Sequence, residues 1–241
     1  MNLRSPSRSA NSTETAPAPR YRRNSHRYGT HEVILRNVPP GTRVLDVGCA
    51  TGYLGEALNA RGCRVWGIDR DAAALTVAAP WYEDVSVVDL EECDTLPWPE
   101  GSFDVVLAAD VVEHLRDPGR ALRVLGRYVG NNGRIIVSVP NVAHASVRIP
   151  LLLGRFAYRP TGILDETHLR FLTFKTAHEL VESSGFDVQW LLASSNHFGA
   201  LLQIPVARRL FRGILGYNCI VVANRGDQGL RPDVAGSGAN A

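Results

Sequence analysis

The residues in this chain best suited to chemistry fall into three groups. The first is Asp46-Val47-Gly48-Cys49-Ala50-Thr51-Gly52, where a short apolar run ends in closely spaced glycines. Glycine lets a backbone turn tightly and approach a ligand with no Cβ in the way. A helix starting at Tyr53 would turn its free amide groups toward whatever sits on that loop. Taken alone, the segment fits a plain strand-to-helix turn as well as it fits a binding loop. The second group decides between them. Asp69 closes Gly67-Ile68-Asp69, and Asp89-Leu90 closes the next apolar run. A carboxylate at the first place can accept hydrogen bonds from both hydroxyls of a ribose. An acceptor at the second suits an adenine amino group. Three such groups at the mouths of three successive strands describe one adenosine-shaped crevice. A dinucleotide-binding dehydrogenase would fill a similar crevice, but the GxGxxG pattern is missing: three residues separate Gly48 from Gly52, and the middle one is Ala50.

The third group is made of histidines. His168 follows Asp165-Glu166-Thr167, His114 follows Glu113, and His144 lies between them in sequence. Histidine titrates near neutral pH and can take a proton from a hydroxyl within hydrogen-bond reach. His168 is the first candidate base, with Asp165 near enough in sequence to orient it. His114 and His144 are the alternates. Each has a structural reading too: His114 as a helix-start residue bonded to backbone, His168 as a buried pin for its own loop. Cysteines 49, 63, 93 and 219 are far apart and lack metal-ligand spacing, so they are read as reduced and mostly buried. No metal site is expected, and Asp110 with nearby carboxylates is the one place left open for a divalent ion.

These residues need a scaffold, and the chain from residue 43 onward supplies one. Apolar runs Arg43–Val47, Arg64–Ile68, Val85–Val88, Val105–Ala108 and Arg134–Val139 read as strands; Leu54–Ala60, Ala72–Ala78 and Gly119–Val129 read as helices between them. Asp117 can cap the last of these, Pro118 suits its first turn and Gly130 its end. Such alternation predicts an α/β fold with a parallel sheet covered on both faces. Pro140, Pro150, Gly154, Pro160 and Gly162 then break the rhythm. A helix follows from a Thr173 cap to Gly185, and strands at Phe186–Ala193 and Tyr217–Asn224 end the pattern. Tyr28 and His31 begin a further helix placed to close over the crevice.

Composition sets the class. In 241 residues, 45% hydrophobic and 21% charged, there is room for one full domain with a sizeable core, placed at 26–225. Residues 1–25, rich in Ser, Pro and Arg, are expected to be a disordered basic tail, and 226–241 a flexible one. No 18-residue apolar run marks a membrane span, and no secretory signal is seen, so the expected location is cytoplasmic. Seven arginines in the first 36 residues, against Glu14 and Glu32, account for more than the net charge of +2. The remaining body is mildly acidic, which argues against a nucleic-acid partner.

The run D-V-G-C-A-T-G, with Asp69, Asp89 and Phe103–Asp110, resembles class I S-adenosylmethionine-dependent methyltransferases over about residues 28–224. The resemblance implies a Rossmann-like fold: a seven-stranded, mostly parallel sheet with a reversed C-terminal hairpin and helices on both faces. It implies S-adenosylmethionine as cofactor, and an enzyme. Asp46, Gly48 and Gly52, with Cys49 and Ala50, would surround its methionine portion. Asp69 and Arg70 would lie at the ribose, Asp89 and the Leu90 backbone at the adenine, and Ala109 beside the transferable methyl. Ala50 departs from the glycine many members carry there.

The acceptor is read from the fourth strand onward. The N/D-P-P-Y sequence of enzymes that methylate nucleobase amines is missing, as are the paired glutamates of protein-arginine methyltransferases. Glu113-His114-Leu115 before Asp117-Pro118 resembles the small-molecule branch. The segment 140–174, taken as a lid or recognition insertion, resembles methyltransferases of bacterial polysaccharide and glycoside assembly, and more weakly a methionine-biosynthesis-associated group. This implies a hydroxyl on a sugar or related small molecule. Arg148, Arg155, Arg159 and Arg170 would read a nucleotide-sugar pyrophosphate or form surface ion pairs with Asp165 and Glu166. The basic, apolar stretch 199–216 is expected to pack under the final hairpin, with a membrane surface or a dimer partner as the other readings. Carboxylate, amine or carbon acceptors, and a non-catalytic cofactor-binding partner subunit, remain the alternatives.

Overall fold

The computed structural model describes residues 26–195 and 204–226. The expected basic tail at 1–25, and the flexible tail apart from Gly226, lie outside that range. In chain order the elements are α1 (Thr30–Asn37), β1 (Arg43–Val47), α2 (Tyr53–Asn59), β2 (Arg64–Asp69), α3 (Ala72–Ala78), a 3-10 turn at Ala79–Trp81, β3 (Asp84–Val87), β4 (Phe103–Ala109), a second 3-10 turn at Val112–His114, α4 (Pro118–Tyr128), β5 (Val129–Pro140), α5 (Ala145–Leu152), α6 (Phe174–Ser183), β6 (Phe186–Ala193), α7 (Pro205–Leu215) and β7 (Asn218–Arg225).

Seven strands form one sheet in the order β3-β2-β1-β4-β5-β7-β6. All neighbours are parallel except β7, which runs antiparallel to both β5 and β6. The central strands carry Val, Leu and Ile on both faces, which is why they read as continuous apolar runs. One core cluster gathers Leu45, Val106, Leu122, Leu125, Ile135 and Val221 on the α4–α6 face. The other gathers Ile34, Val44, Leu58, Leu107, Ile136 and Ile220 under α1 and α2. The chain winds outward from β1 to β3 and then returns to build β4 and β5 on the other side. The reversal falls between β1 and β4, and α/β sheets open a crevice at the carboxyl ends of strands that flank such a switch.

Caps fall where the sequence put them. Asp117 accepts from the amide of Arg120 at the start of α4, and Thr173 forms a reciprocal capping box with Thr176 at α6. Three expectations change. Gly130 does not end α4: the helix stops at Tyr128 and runs straight into β5. A Cβ on Gly130 would lie 3.2 Å from the carbonyl oxygens of both Gly101 and Phe103, so close backbone approach, not a helix cap, explains that glycine. Residues 145–152 form a helix although Pro150 interrupts them, because His144 caps the start and the proline sits in the last turns. Of the stretch 199–216 expected to pack under the hairpin, 199–203 lie outside the described residues; on α7 Val206, Phe211 and Ile214 are exposed, and Arg212 lies over the Phe174 ring. That helix is anchored instead by Asn141, whose amide donates to the carbonyls of Gly213 and Gly216. Among the described residues no helix is long and apolar enough to cross a membrane.

Candidate active site

The glycine loop is held from below. The amides of Gly48 and Cys49 both donate to the Ile68 carbonyl, which draws the end of β1 against the end of β2. Gly48 has φ +66, and a Cβ there would strike Val111 Cγ2 at 2.6 Å, so only glycine fits. Ala50 also lies in the left-handed region, at φ 47, where a side chain is strained. Asp69 holds it there: one carboxylate oxygen accepts from the Ala50 amide at 2.9 Å, and the other accepts from the Asp71 amide at 2.9 Å.

A cleft of about 860 Å³ opens above these strand ends. Gly48, Ala50, Asp69, Arg70, Asp89, Leu90 and Ala109 line it, as the sequence led us to expect. Asp89 sits two residues past the end of β3 and not on it; its carboxylate accepts from the Glu91 amide at 2.8 Å. The remaining three residues of the proposed cofactor set do not form the wall. Cys49 is buried with Leu75 and Ala78, and Gly52 is the left-handed residue that starts α2. Asp46 is buried outside the cleft lining and accepts the Tyr82 hydroxyl at 2.7 Å. These three shape the loop from behind.

Burial, opposed by the Tyr82 hydrogen bond and reinforced by Asp69, pushes the Asp46 carboxyl up to about 7. A folded-state value above the unfolded one means that the native state binds the extra proton. Stability from this group is therefore present near pH 4 and lost as pH rises toward 7. The gap from the ordinary 3.8 to about 7 caps the loss on the order of 4 kcal/mol. In Asp46→Asn, stability measured by urea unfolding should lose this slope, so the variant gains on the wild type as pH is raised from 4 to 7. A constant difference across that range would count against a buried, protonated Asp46.

The far end of the cleft holds the histidines. His114 ends the 3-10 turn after β4, and its Nδ1 lies 3.2 Å from the Thr167 carbonyl oxygen. Nδ1 of His168 lies 3.1 Å from the Ile163 carbonyl oxygen. The two rings meet edge to face, with centroids 4.8 Å apart. Burial lowers both imidazoles below their usual value, so they are neutral at neutral pH. The orienting hydrogen bond on His168 thus comes from backbone; Asp165, expected in that role, accepts instead from the amide and hydroxyl of Thr167. His144 is the cap of α5, its ring accepting from the Ser146 amide, and does not line the cleft. Arg170 donates to the Arg116 carbonyl.

Two features escaped the sequence reading. Glu113 is 1% exposed, yet neither carboxylate oxygen has a hydrogen-bond partner among the described residues, and the side chain lines the cleft beside both histidines. Its backbone carbonyl accepts from the amides of Leu169 and Arg170, which straps the His168 loop to the turn after β4. The second feature is a polar chain beneath the middle of the cleft. Thr30 meets Ser194, Ser194 accepts from the Asn218 amide, and Asn218 donates to Asp110 at 2.7 Å, as does Ser138. Through it α1, with His31 on the cleft wall, is tied to the end of β4. A histidine was expected there; the hydroxyl and amide links have no spacing that a linear sequence displays.

Comparison with known proteins agrees with this arrangement. Residues 19–190 match a family model described as a methyltransferase domain. A ubiquinone biosynthesis O-methyltransferase from Azorhizobium caulinodans is 35% identical over 159 residues, covering 63% of this chain and 61% of that protein. The chain thus spans less than two thirds of that relative. A probable S-adenosylmethionine-dependent methyltransferase from Mycolicibacterium smegmatis is 29% identical over 191 residues, 74% of this chain and 70% of that one. Among solved structures, an S-adenosylmethionine-dependent methyltransferase from Mesorhizobium loti superimposes with a TM-score of 0.59 at 18% identity, covering 82% of this chain and 98% of that one, which speaks for the fold. With loop, strand order and family model in agreement, the chain belongs to the class I S-adenosylmethionine-dependent methyltransferase family.

Proposed function

We propose that this chain transfers a methyl group from S-adenosylmethionine to a hydroxyl oxygen of a small molecule. One observation carries the reading: a single cleft runs from the acids Asp69 and Asp89, past Ala109, to the Glu113–His114–His168 cluster. The first end offers carboxylates to a ribose and a polar rim to an adenine; the second is set for an acceptor. The cofactor supplies an activated methyl on a sulfonium, already a good leaving group. What the chain must add is alignment, exclusion of water and a path for one proton. Transfer forms the oxygen–carbon bond as the carbon–sulfur bond breaks, and that electron pair stays on sulfur. The hydroxyl proton goes to His168: with Nδ1 engaged by the Ile163 carbonyl, Nε2 keeps its lone pair.

An oxygen acceptor also accords with the name of the Azorhizobium relative. The sugar or nucleotide-sugar expected from segment 140–174 has no support in the names of the two relatives described above, so the acceptor class is kept at hydroxylated small molecules. The test is transfer of a labelled methyl to a panel of phenolic, aliphatic and sugar hydroxyls, with amines and carboxylates alongside. Labelled ether product supports the reading. Product only on nitrogen or carboxylate, or none from protein that binds the cofactor, removes it.

A further inference from the structure

We propose that Glu113, His114 and His168 form a binding site for a divalent transition-metal cation at the acceptor end of the cleft. One donor atom from each lies within 4.8 Å of the other two. Three independent features of the chain turn that proximity into a site.

The first is the orphaned carboxylate. Glu113 is buried, and neither of its oxygens meets a hydrogen-bond donor among the described residues. A buried carboxylate left without donors is strongly disfavoured: burial raises the Glu113 carboxyl well above its ordinary value, and a bound cation would take the place of that proton. Among the described residues no arginine or lysine is paired with it, whereas two imidazoles stand beside it.

The second is the direction of those imidazoles. Each Nδ1 faces a carbonyl oxygen, of Thr167 for His114 and of Ile163 for His168. A carbonyl can only accept, and the Thr167 hydroxyl, 3.2 Å from Nδ1 of His114, already donates to Asp165, so each Nδ1 carries the proton and each Nε2 keeps its lone pair. A second ring nitrogen pinned to a backbone carbonyl is the outer-shell arrangement that fixes metal-ligating histidines.

The third is rigidity. The amides of Leu169 and Arg170 both donate to the Glu113 carbonyl, at 2.9 and 3.0 Å, so the strand-end turn and the loop carrying His168 are held together before any ion arrives. Donors around one ion at about 2.1 Å stand roughly 3–4 Å apart. The donor atoms, now within 4.8 Å of one another, draw closer when an ion binds.

The donor set indicates the cation. Two neutral imidazoles and one carboxylate suit zinc, iron, cobalt or nickel better than magnesium, which prefers oxygen donors. Three protein ligands on the wall of an open cleft also leave positions free, as in sites where the metal binds a further ligand. That ligand's identity rests on the methyl-transfer reading; the ion site itself does not. With the ion bound, a hydroxyl on it has a lowered pKa and gives its proton to solvent; the role of His168 as base belongs to the ion-free chain.

The test uses the full chain, stripped with chelator and dialysed. Zinc titration by calorimetry and cobalt titration by visible absorption should each show one saturable site per chain. Glu113→Gln, close in shape to the native side chain, and His168→Ala should each weaken it at least 100-fold. Cofactor affinity of the same samples reports whether the variants are folded. Absence of one-to-one binding, or equal binding by wild type and variants, overturns the proposal. A chain that binds the cation but transfers no methyl overturns only the methyl-transfer reading. A chain that transfers methyl without binding it overturns only the site.

Discussion

Replacing Asp69 by alanine should weaken S-adenosylmethionine binding by about 100- to 1,000-fold in calorimetry. Hydrogen bonds to a charged partner contribute about 1.5–3 kcal/mol each, and this carboxylate is placed to receive two from a ribose. A further loss comes from the loop itself. Asp69 also holds the amide of Ala50, a residue in a left-handed conformation at φ 47 that has little reason to persist unsupported. Asp69→Asn separates the two effects, since it keeps an acceptor for the Ala50 amide while removing the charge, and should fall between wild type and Asp69→Ala. Affinity within threefold of wild type in Asp69→Ala, with an unchanged melting temperature, would mean that the adenosine lies elsewhere in the cleft.

His168→Ala should lower turnover by about 10²–10⁴-fold, the usual worth of a positioned acid or base, while cofactor affinity stays within error. The ring lies at the end of the cleft away from Asp69 and Asp89, so the two variants ought to fail in opposite ways, one in binding and the other in transfer. Single-turnover measurement with saturating cofactor isolates the chemical step. The loss is expected whether His168 takes the proton itself or holds a cation that acidifies the hydroxyl; the metal titration tells these apart. Near-normal turnover would remove His168 from the base role.

Much of this was readable in the sequence, for identifiable reasons. Strand β1 and helix α3 fall on the expected residues because their apolar runs are bounded by polar or glycine punctuation, and Asp117 and Thr173 cap helices through local side-chain bonds. The α4 end was misread because Gly130 looks like a stop signal, and only the sheet shows that it makes room for Gly101 and Phe103. The cofactor loop was legible as a motif, but which of its side chains face the cleft was not. Asp46 sits in the motif and turns toward Tyr82, a partner 36 residues away whose meeting depends on how α3 packs. Glu113 was hidden for the same reason. Its importance lies in what it lacks, and a missing hydrogen-bond partner has no signature along a chain.

The place of β7 in the sheet has a consequence for biosynthesis. It is the last described strand in sequence, yet it lies between β5 and β6 and is the only neighbour that joins β6 to the rest. While the chain emerges from the ribosome, β6 therefore has no partner, and the open edge of β5 is a row of unpaired amides and carbonyls. Only when residues 218–225 clear the exit tunnel can the hairpin form and slot in. Completion of this sheet thus waits for β7, and truncations that remove β7 should yield aggregation-prone nascent chains in place of a smaller folded domain.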